Sequence, residues 1–375
     1  MARSASATNI VTTMAAFQGA DEPLWHGGDL SAAREMFPGA LEPFVDLSTG
    51  INPNPYPVPA LPADLYARLP DSTALARLVA AAVTAYGAPS AAHLVAAPGT
   101  QILLPLIASL VPPGRATVLA PTYVEHARAA ALAGNAVTDV SDIGALGDAG
   151  LAILTNPNNP DGRLLAKDEL IAVARKLQAR GGLLVIDEAF MDVGPVDASL
   201  AGESLAGKSL AGESLAGEVG LGNVVVLRSF GKFFGLAGLR LGFAIGAPAL
   251  VERIKSLLGP WAVSGPALAI GTQALADRAW ISATQDRLAQ AADRLDTILT
   301  GAGLDIVGGT ILFRLARSHA AAELFHHLGR AGIFVRRFPD HAEWLRFGLP
   351  AAEPDWQRLQ NAMNQNAMAA IADNG

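Results

Sequence analysis

Short, unbroken apolar runs recur along this chain, and each one ends in a cluster of polar residues. Val224 to Leu227, the stretch Gly182 to Phe190 around its acid Asp187, and Leu151 to Leu154 are three such runs. Continuous aliphatic and β-branched residues of this length mark strands buried on both faces of a parallel sheet. The polar clusters that follow are Ser229 to Lys232, Asp187-Glu188, and Thr155-Asn-Pro-Asn-Asn-Pro-Asp-Gly162. All three then lie at C-terminal strand ends, the edge where open parallel sheets bind ligands. Two further runs, His93 to Ala97 and Ala116 to Leu119, lead into helical patterns reaching about Leu110 and Ala133, and Ala74 to Tyr86 reads as an alanine-rich helix. Alternation of strand and helix from His93 to Phe243 predicts an α/β unit with a mostly parallel sheet covered on both faces.

The pattern changes at about Gly259. Amphipathic helices such as Ser282 to Thr300, a strand over Thr310 to Leu315, a helix near Ala320 to Ala331, and two short strands carrying Arg336 and Arg346 predict a smaller α+β unit. Proline and asparagine between Asp46 and Pro62 favour an irregular arm, packed on that unit or on a second subunit. The expected organisation is a disordered leader over 1–25, an arm over 26–70, a large domain over 71–258 and a small domain over 259–375. Ser199 to Glu218 is four copies of Ser-Leu-Ala-Gly-Glu, with Lys208 replacing glutamate in the second. A five-residue period fits neither helix nor strand, so the segment reads as an expanded surface loop, tolerated because closure entropy grows only logarithmically with length.

At 375 residues the chain is long enough for two domains. A net charge of -7 and a pI near 5.5, with no basic stripe, argue against nucleic acid. The absence of cysteine excludes disulfides and thiolate metal sites and is compatible with the cytoplasm. The most apolar stretch, Ile102 to Val111, is interrupted by Pro105 and is too short to span a membrane. No secretory signal pattern opens the chain. Gly231-Lys232 does not fit a nucleotide-binding loop, because Val226 and Phe233 occupy positions that need glycine and Ser or Thr. No glycine fingerprint for dinucleotides follows a strand, and the seven histidines show no zinc-ligand spacing, so no metal site is expected.

Lys232 is the first candidate for chemistry. A lysine just beyond a buried strand is partly desolvated, which lowers its pKa and frees the amine as a nucleophile toward an aldehyde. Taken alone, a lysine is more often a solvated surface residue. Gly99, Thr100 and Gln101 fall at a helix N-terminus, where free N–H groups favour an anion, although a Gly-Thr pair also serves as a plain cap. Tyr123, after a strand, is by itself more often a packed core residue.

Together these segments resemble the fold-type I pyridoxal-phosphate (PLP) enzymes of the class I/II aminotransferase superfamily. The resemblance runs from about His26 to the C-terminal region. His26-Gly-Gly-Asp29, Asp46-Leu-Ser-Thr-Gly-Ile-Asn-Pro53 and Phe190 are most similar to the threonine-phosphate decarboxylase branch of cobalamin biosynthesis. The resemblance implies a large domain with a mostly parallel sheet and a smaller α+β domain. It implies PLP held by Lys232, with Asp187 beside its ring nitrogen and Tyr123 stacked on the ring. Asn159 would bond the ring's 3-oxygen, and Gly99, Thr100, Gln101, Ser229 and Arg240 would hold the phosphate. Substrate groups would meet His26, Asn52, Arg336, Arg337 and Arg346, with Arg346 on the carboxylate. Two positions depart from the aminotransferase pattern: Phe190 and Leu69 stand where relatives carry tyrosines. The implied reaction is decarboxylation of L-threonine O-3-phosphate to (R)-1-aminopropan-2-ol O-2-phosphate by a cytoplasmic homodimer. A histidinol-phosphate-type aminotransferase is the alternative, and a non-catalytic ligand-sensing module is a third reading.

Overall fold

A computed structural model describes residues 26–193 and 213–372, with side chains to residue 365. The expected leader and the repeat up to residue 212 lie outside the described residues.

The larger sheet has seven strands: β2 (Leu94–Ala97), β3 (Arg115–Leu119), β4 (Ala136–Val140), β5 (Leu151–Thr155), β6 (Leu183–Asp187), β7 (Val224–Ser229) and β8 (Gly242–Gly246). Their order is β2-β8-β7-β6-β5-β3-β4, and all run parallel except β8, which is antiparallel to both neighbours. β5 to β8 are buried along their whole lengths. Alternate residues of β7 enter different cores: Val224 and Val226 pack in one, Val225 and Leu227 in the other. That two-sided burial is why these strands carry unbroken apolar runs rather than alternation. The helix over Ser72–Tyr86 starts on Asp71, whose side chain accepts from the Ala74 N–H, and stops at the left-handed Gly87 (φ 69°), the usual pairing of start and stop signals.

The second sheet is built from β1 (Val45–Leu47), β9 (Asp305–Thr310), β10 (Phe313–Arg317), β11 (Ile333–Arg337) and β12 (Trp344–Gly348), in the order β1-β11-β12-β10-β9. β1 pairs in parallel with β11, through Val45 with Ile333 and Leu47 with Val335. The arm is therefore stitched into the C-terminal sheet and is regular where an irregular segment was expected at Asp46. The expected single strand over Thr310–Leu315 is corrected to a hairpin. β9 ends at Thr310 and β10 begins at Phe313, because the intervening Ile311 and Leu312 are buried and apolar and give no turn signal. The long helix runs over Arg278–Gly301, and Arg314 on β10 is clamped to it through Asp296.

The two sheets meet backbone to backbone. A Cβ at Gly162 would fall 1.9 Å from the Gly309 carbonyl oxygen, and one at Gly308 would fall 2.1 Å from that of Asp161. Glycine is required here for close approach, and the contact seats the loop after β5 against β9.

Candidate active site

The large-sheet edge gathers the polar clusters. β6 ends at Asp187, paired in register with Leu227 of β7, and β7 ends at Ser229 opposite Gly242. The chain turns at once into the four-residue helix Phe230–Phe233, which carries Lys232. The arm clamps this turn: the Asn52 N–H donates to the Lys232 carbonyl at 3.0 Å, and the Asn52 side-chain amide donates to the Phe233 carbonyl at 2.9 Å. Burial first, and then the positive charges of Arg346 and Arg240, push the Lys232 amine down to about 8 against an opposing pull from Asp187. At that value a large share of the amine is neutral at mildly alkaline pH.

Asp187 is buried and receives two hydrogen bonds, from the Ala189 N–H at 3.1 Å and across 3.1 Å from His126 Nε2. His126 is fully buried, stands edge-on to Tyr123 with centroids 5.5 Å apart, and its Nδ1 has no partner among the described residues. The Tyr123 hydroxyl donates to Gln101 Oε1 at 3.1 Å. Burial and the nearby Glu125 and Asp187 carboxylates push the Tyr123 phenol up to about 12, so it stays protonated.

Beside these groups is a cradle built from glycine. Gly99 (φ +90°) precedes the helix Thr100–Ala108, and a Cβ on it would lie 2.8 Å from Arg240 Nη2. A Cβ on Gly242 would lie 2.7 Å from the Thr100 nitrogen. Arg240 takes the left-handed conformation (φ 53°) and donates to the Ala237 carbonyl at 3.2 Å. The helix start at Thr100 and the Arg240 guanidinium thus close on these two glycines, with Ser229 in register opposite Gly242, an arrangement suited to a phosphate.

The small sheet supplies the remaining cations. Arg346 on β12 is buried, donates to Asn159 Oδ1 and, at 2.8 Å, to the Ser48 carbonyl, and lies over the Phe313 ring at 5.1 Å. Its Nε is buried without a partner among the described residues, and burial together with Arg336 holds its pKa below the usual guanidinium range. Arg336, its register partner on β11, is electrostatically coupled to Tyr123. Arg336, Arg337, His26 and Ser48 line a pocket floored by Phe334 and Val335. Arg337 lies over the ring of Phe325, which lines the same pocket, at 5.2 Å. His26 approaches Glu125 at 3.3 Å.

Most of the sequence-derived candidates converge on this space. Asn52 has a structural task as well: its amide donates to the Phe233 carbonyl and its Oδ1 accepts from the Asn54 N–H, which anchors the arm to the Lys232 turn. His126 and Glu125 escaped the sequence reading. Both lie in an alanine-rich helical stretch, and the only local signal was the polar pair Glu125-His126, separated from Tyr123 by Val124.

Two sheets meeting at an edge that joins a depressed lysine, a buried aspartate and an anion cradle define an enzyme of the fold-type I kind. The chain belongs to the family aminotransferase class I and II, whose model matches residues 66–365. Its relatives include the threonine-phosphate decarboxylase of Sinorhizobium sp, 42% identical over 91% of this chain and 98% of the relative. The threonine-phosphate decarboxylase of Pseudomonas aeruginosa is 39% identical over 91% of this chain and 97% of its own length. In fold it is similar to the histidinol-phosphate aminotransferase of Sinorhizobium meliloti solved in complex with pyridoxal-5'-phosphate, with TM-score 0.74 at 19% identity, covering 99% of this chain and 100% of that one.

Proposed function

We propose that this protein is a PLP-dependent lyase that decarboxylates L-threonine O-3-phosphate to (R)-1-aminopropan-2-ol O-2-phosphate. The observation that carries the class of reaction is the pairing of Lys232 and Asp187 at adjacent strand ends beside the Gly99–Arg240 cradle. The substrate is favoured by the 42% and 39% identity to threonine-phosphate decarboxylases over most of each chain.

The residues present fit PLP. An amine lowered to about 8 suits the aldehyde, the buried carboxylate suits the ring nitrogen, and the cradle that admits no Cβ suits the phosphate. When bound, PLP supplies an electron sink for the bond broken at the amino acid's α-carbon. Lys232 would hold the cofactor, and its free amine, lowered to about 8, would be able to give and take a proton at moderate pH. Asp187, fixed by His126 and the Ala189 N–H, offers a negative charge that favours a protonated ring nitrogen. Tyr123 would pack on the ring, Asn159 would meet its 3-oxygen, and Gly99, Thr100, Gln101, Ser229 and Arg240 would hold the phosphate. Arg346, with an unsatisfied buried Nε, takes the substrate carboxylate, and Arg336 with His26 takes the substrate phosphate. Arg337 is assigned to the outer wall of that pocket.

Residues 71–258 are assigned to the large domain and 259–375 to the small one, and the protein is assigned to the cytoplasm as a homodimer. Tyr66, Leu69 and Trp261 support the dimer, since these large side chains stand 70%, 68% and 60% exposed in one chain. Among the described residues no helix is long and apolar enough to cross a membrane. Incubating the PLP-loaded protein with L-threonine O-3-phosphate is expected to release carbon dioxide. No release, together with keto-acid-dependent turnover of histidinol phosphate, rejects this reaction in favour of amino transfer.

A further inference from the structure

Glu125 opens the helix Glu125–Leu132, and its side chain is buried beside the site. Three groups converge on this one carboxylate. Gln101 Nε2 donates to Oε2 at 2.9 Å, Arg128 Nη1 donates to Oε1 at 3.2 Å, and His26 Nε2 stands 3.3 Å from Oε1. Gln101 is then held at both ends, because its Oε1 accepts from the Tyr123 hydroxyl at 3.1 Å. On the other side, His26 begins a strap laid across Ser48. The Gly28 N–H donates to Ser48 Oγ at 2.8 Å, and a Cβ on Gly27 would fall 2.3 Å from the Ser48 carbonyl oxygen. That same carbonyl accepts from Arg346 Nη2 at 2.8 Å. The strap therefore roofs the pocket walled by Arg336 and rests on the group that holds Arg346.

We infer that Glu125 is a positioning residue with two linked tasks: it fixes Tyr123 through Gln101, and it holds the His26–Gly28 strap closed over the Arg336 pocket. A buried carboxylate that accepts from Gln101 and Arg128 and faces His26 cannot lose its charge without loosening the groups gathered on it. Occupation of that pocket by the substrate phosphate rests on the function proposed above, whereas closure of the strap does not.

The test uses Glu125→Gln, which keeps shape and one acceptor but removes the charge facing His26 and Arg128, alongside His26→Ala and the double variant. In the cofactor-free full chain, hydrogen exchange at the Gly28 amide is expected to quicken roughly tenfold in each single variant. In the PLP-loaded protein, KM for L-threonine O-3-phosphate is expected to rise roughly tenfold with kcat changed by less than about threefold, the mark of lost binding rather than lost chemistry. In Gly28 exchange the double variant is expected to match the worse single one, because closure of the strap runs through the one contact between His26 and Glu125. Unchanged Gly28 exchange in both single variants overturns the strap assignment, even if threonine phosphate proves not to be the substrate. Additive effects in the double variant, or a fall in kcat at constant KM, overturn the linkage. His26 is half exposed, so His26→Ala still decides the question if Glu125→Gln fails to fold.

Discussion

In the cofactor-free protein the Lys232 amine is expected to titrate near pH 8 instead of the ordinary 10.5. Its causes are ranked: burial first, then the Arg346 cation, then opposition from Asp187, with Arg240 adding to the depression. At pH 8 about half of the Lys232 amines are then neutral, against roughly one in three hundred for an unperturbed lysine. Competitive acetylation across pH, read at each lysine by peptide mass spectrometry, measures this directly, with the exposed Lys255 as internal reference. Arg346→Met removes the repelling charge and is expected to move the Lys232 midpoint up. Asp187→Asn removes the attracting one and moves it down. Stability follows the same sign. Between about pH 8 and 10.5 the unfolded chain holds this proton and the folded chain does not, so the cofactor-free protein gains stability as pH rises through that window. It loses it as pH falls through 8, by at most about 3 kcal/mol. A Lys232 midpoint above about 10 would refute the reasoning.

Gly99→Ala places a Cβ against Arg240 at a positive φ, and a titration of PLP into the cofactor-free variant is expected to show binding weakened at least about tenfold. Arg228→Met unpairs the buried Glu188 and Asp192, with an expected loss of about 3 kcal/mol or more in a denaturant melt; a loss under about 1 kcal/mol would contradict the pairing. Deleting residues 199–213 leaves the copy Ser214–Glu218, which bonds Glu188 through Ser214 and Leu215 and Lys167 through Glu218. Melting temperature and turnover are expected to stay at the level of the full chain. Gly308→Ala drives a Cβ into the Asp161 carbonyl and is expected to weaken PLP and substrate binding together, whereas Gly99→Ala acts on PLP alone; equilibrium binding of each ligand separates the two patterns.

The large-sheet half of the site was legible because β5, β6 and β7 are buried on both faces, so each end is marked by an abrupt change from aliphatic to polar. Asp187, Ser229 and Lys232 sit at such changes. The small-sheet half was legible mainly through resemblance, since Arg336 and Arg346 lie on short strands whose neighbours alternate weakly. Turn chemistry failed at Ile311-Leu312, where the two turn residues themselves are apolar and neither is Gly, Pro or Asn. His126 and Glu125 were hidden for a different reason. Their importance comes from partners 61 and 24 residues away in sequence, Asp187 and Gln101, and no local pattern encodes a long-range contact. Asn52 was placed near Lys232 by resemblance, and only the fold shows that one of its amide hydrogens goes to the Phe233 carbonyl.

Phe190, the departure that set this chain apart from aminotransferases, has a physical role at the seam. It follows β6 on the large sheet and meets Phe313 of β10 on the small one, edge to face at 5.1 Å. A Cβ on Gly50 would lie 2.8 Å from Phe313 and 3.1 Å from Phe190, so the pair is closed over with no room to spare. One cation rests by each ring, Lys232 at 5.7 Å from that of Phe190 and Arg346 at 5.1 Å from that of Phe313. Two apolar rings beside two like charges exclude water that would otherwise screen their repulsion. That repulsion is the second cause of the lowered Lys232 amine after burial itself. A hydroxyl at position 190 would bring a polar group and its hydration into this space and weaken both effects. The phenyl ring thus gives the Lys232 amine a more apolar surrounding than a phenol would, in the same direction as the burial that lowers its pKa.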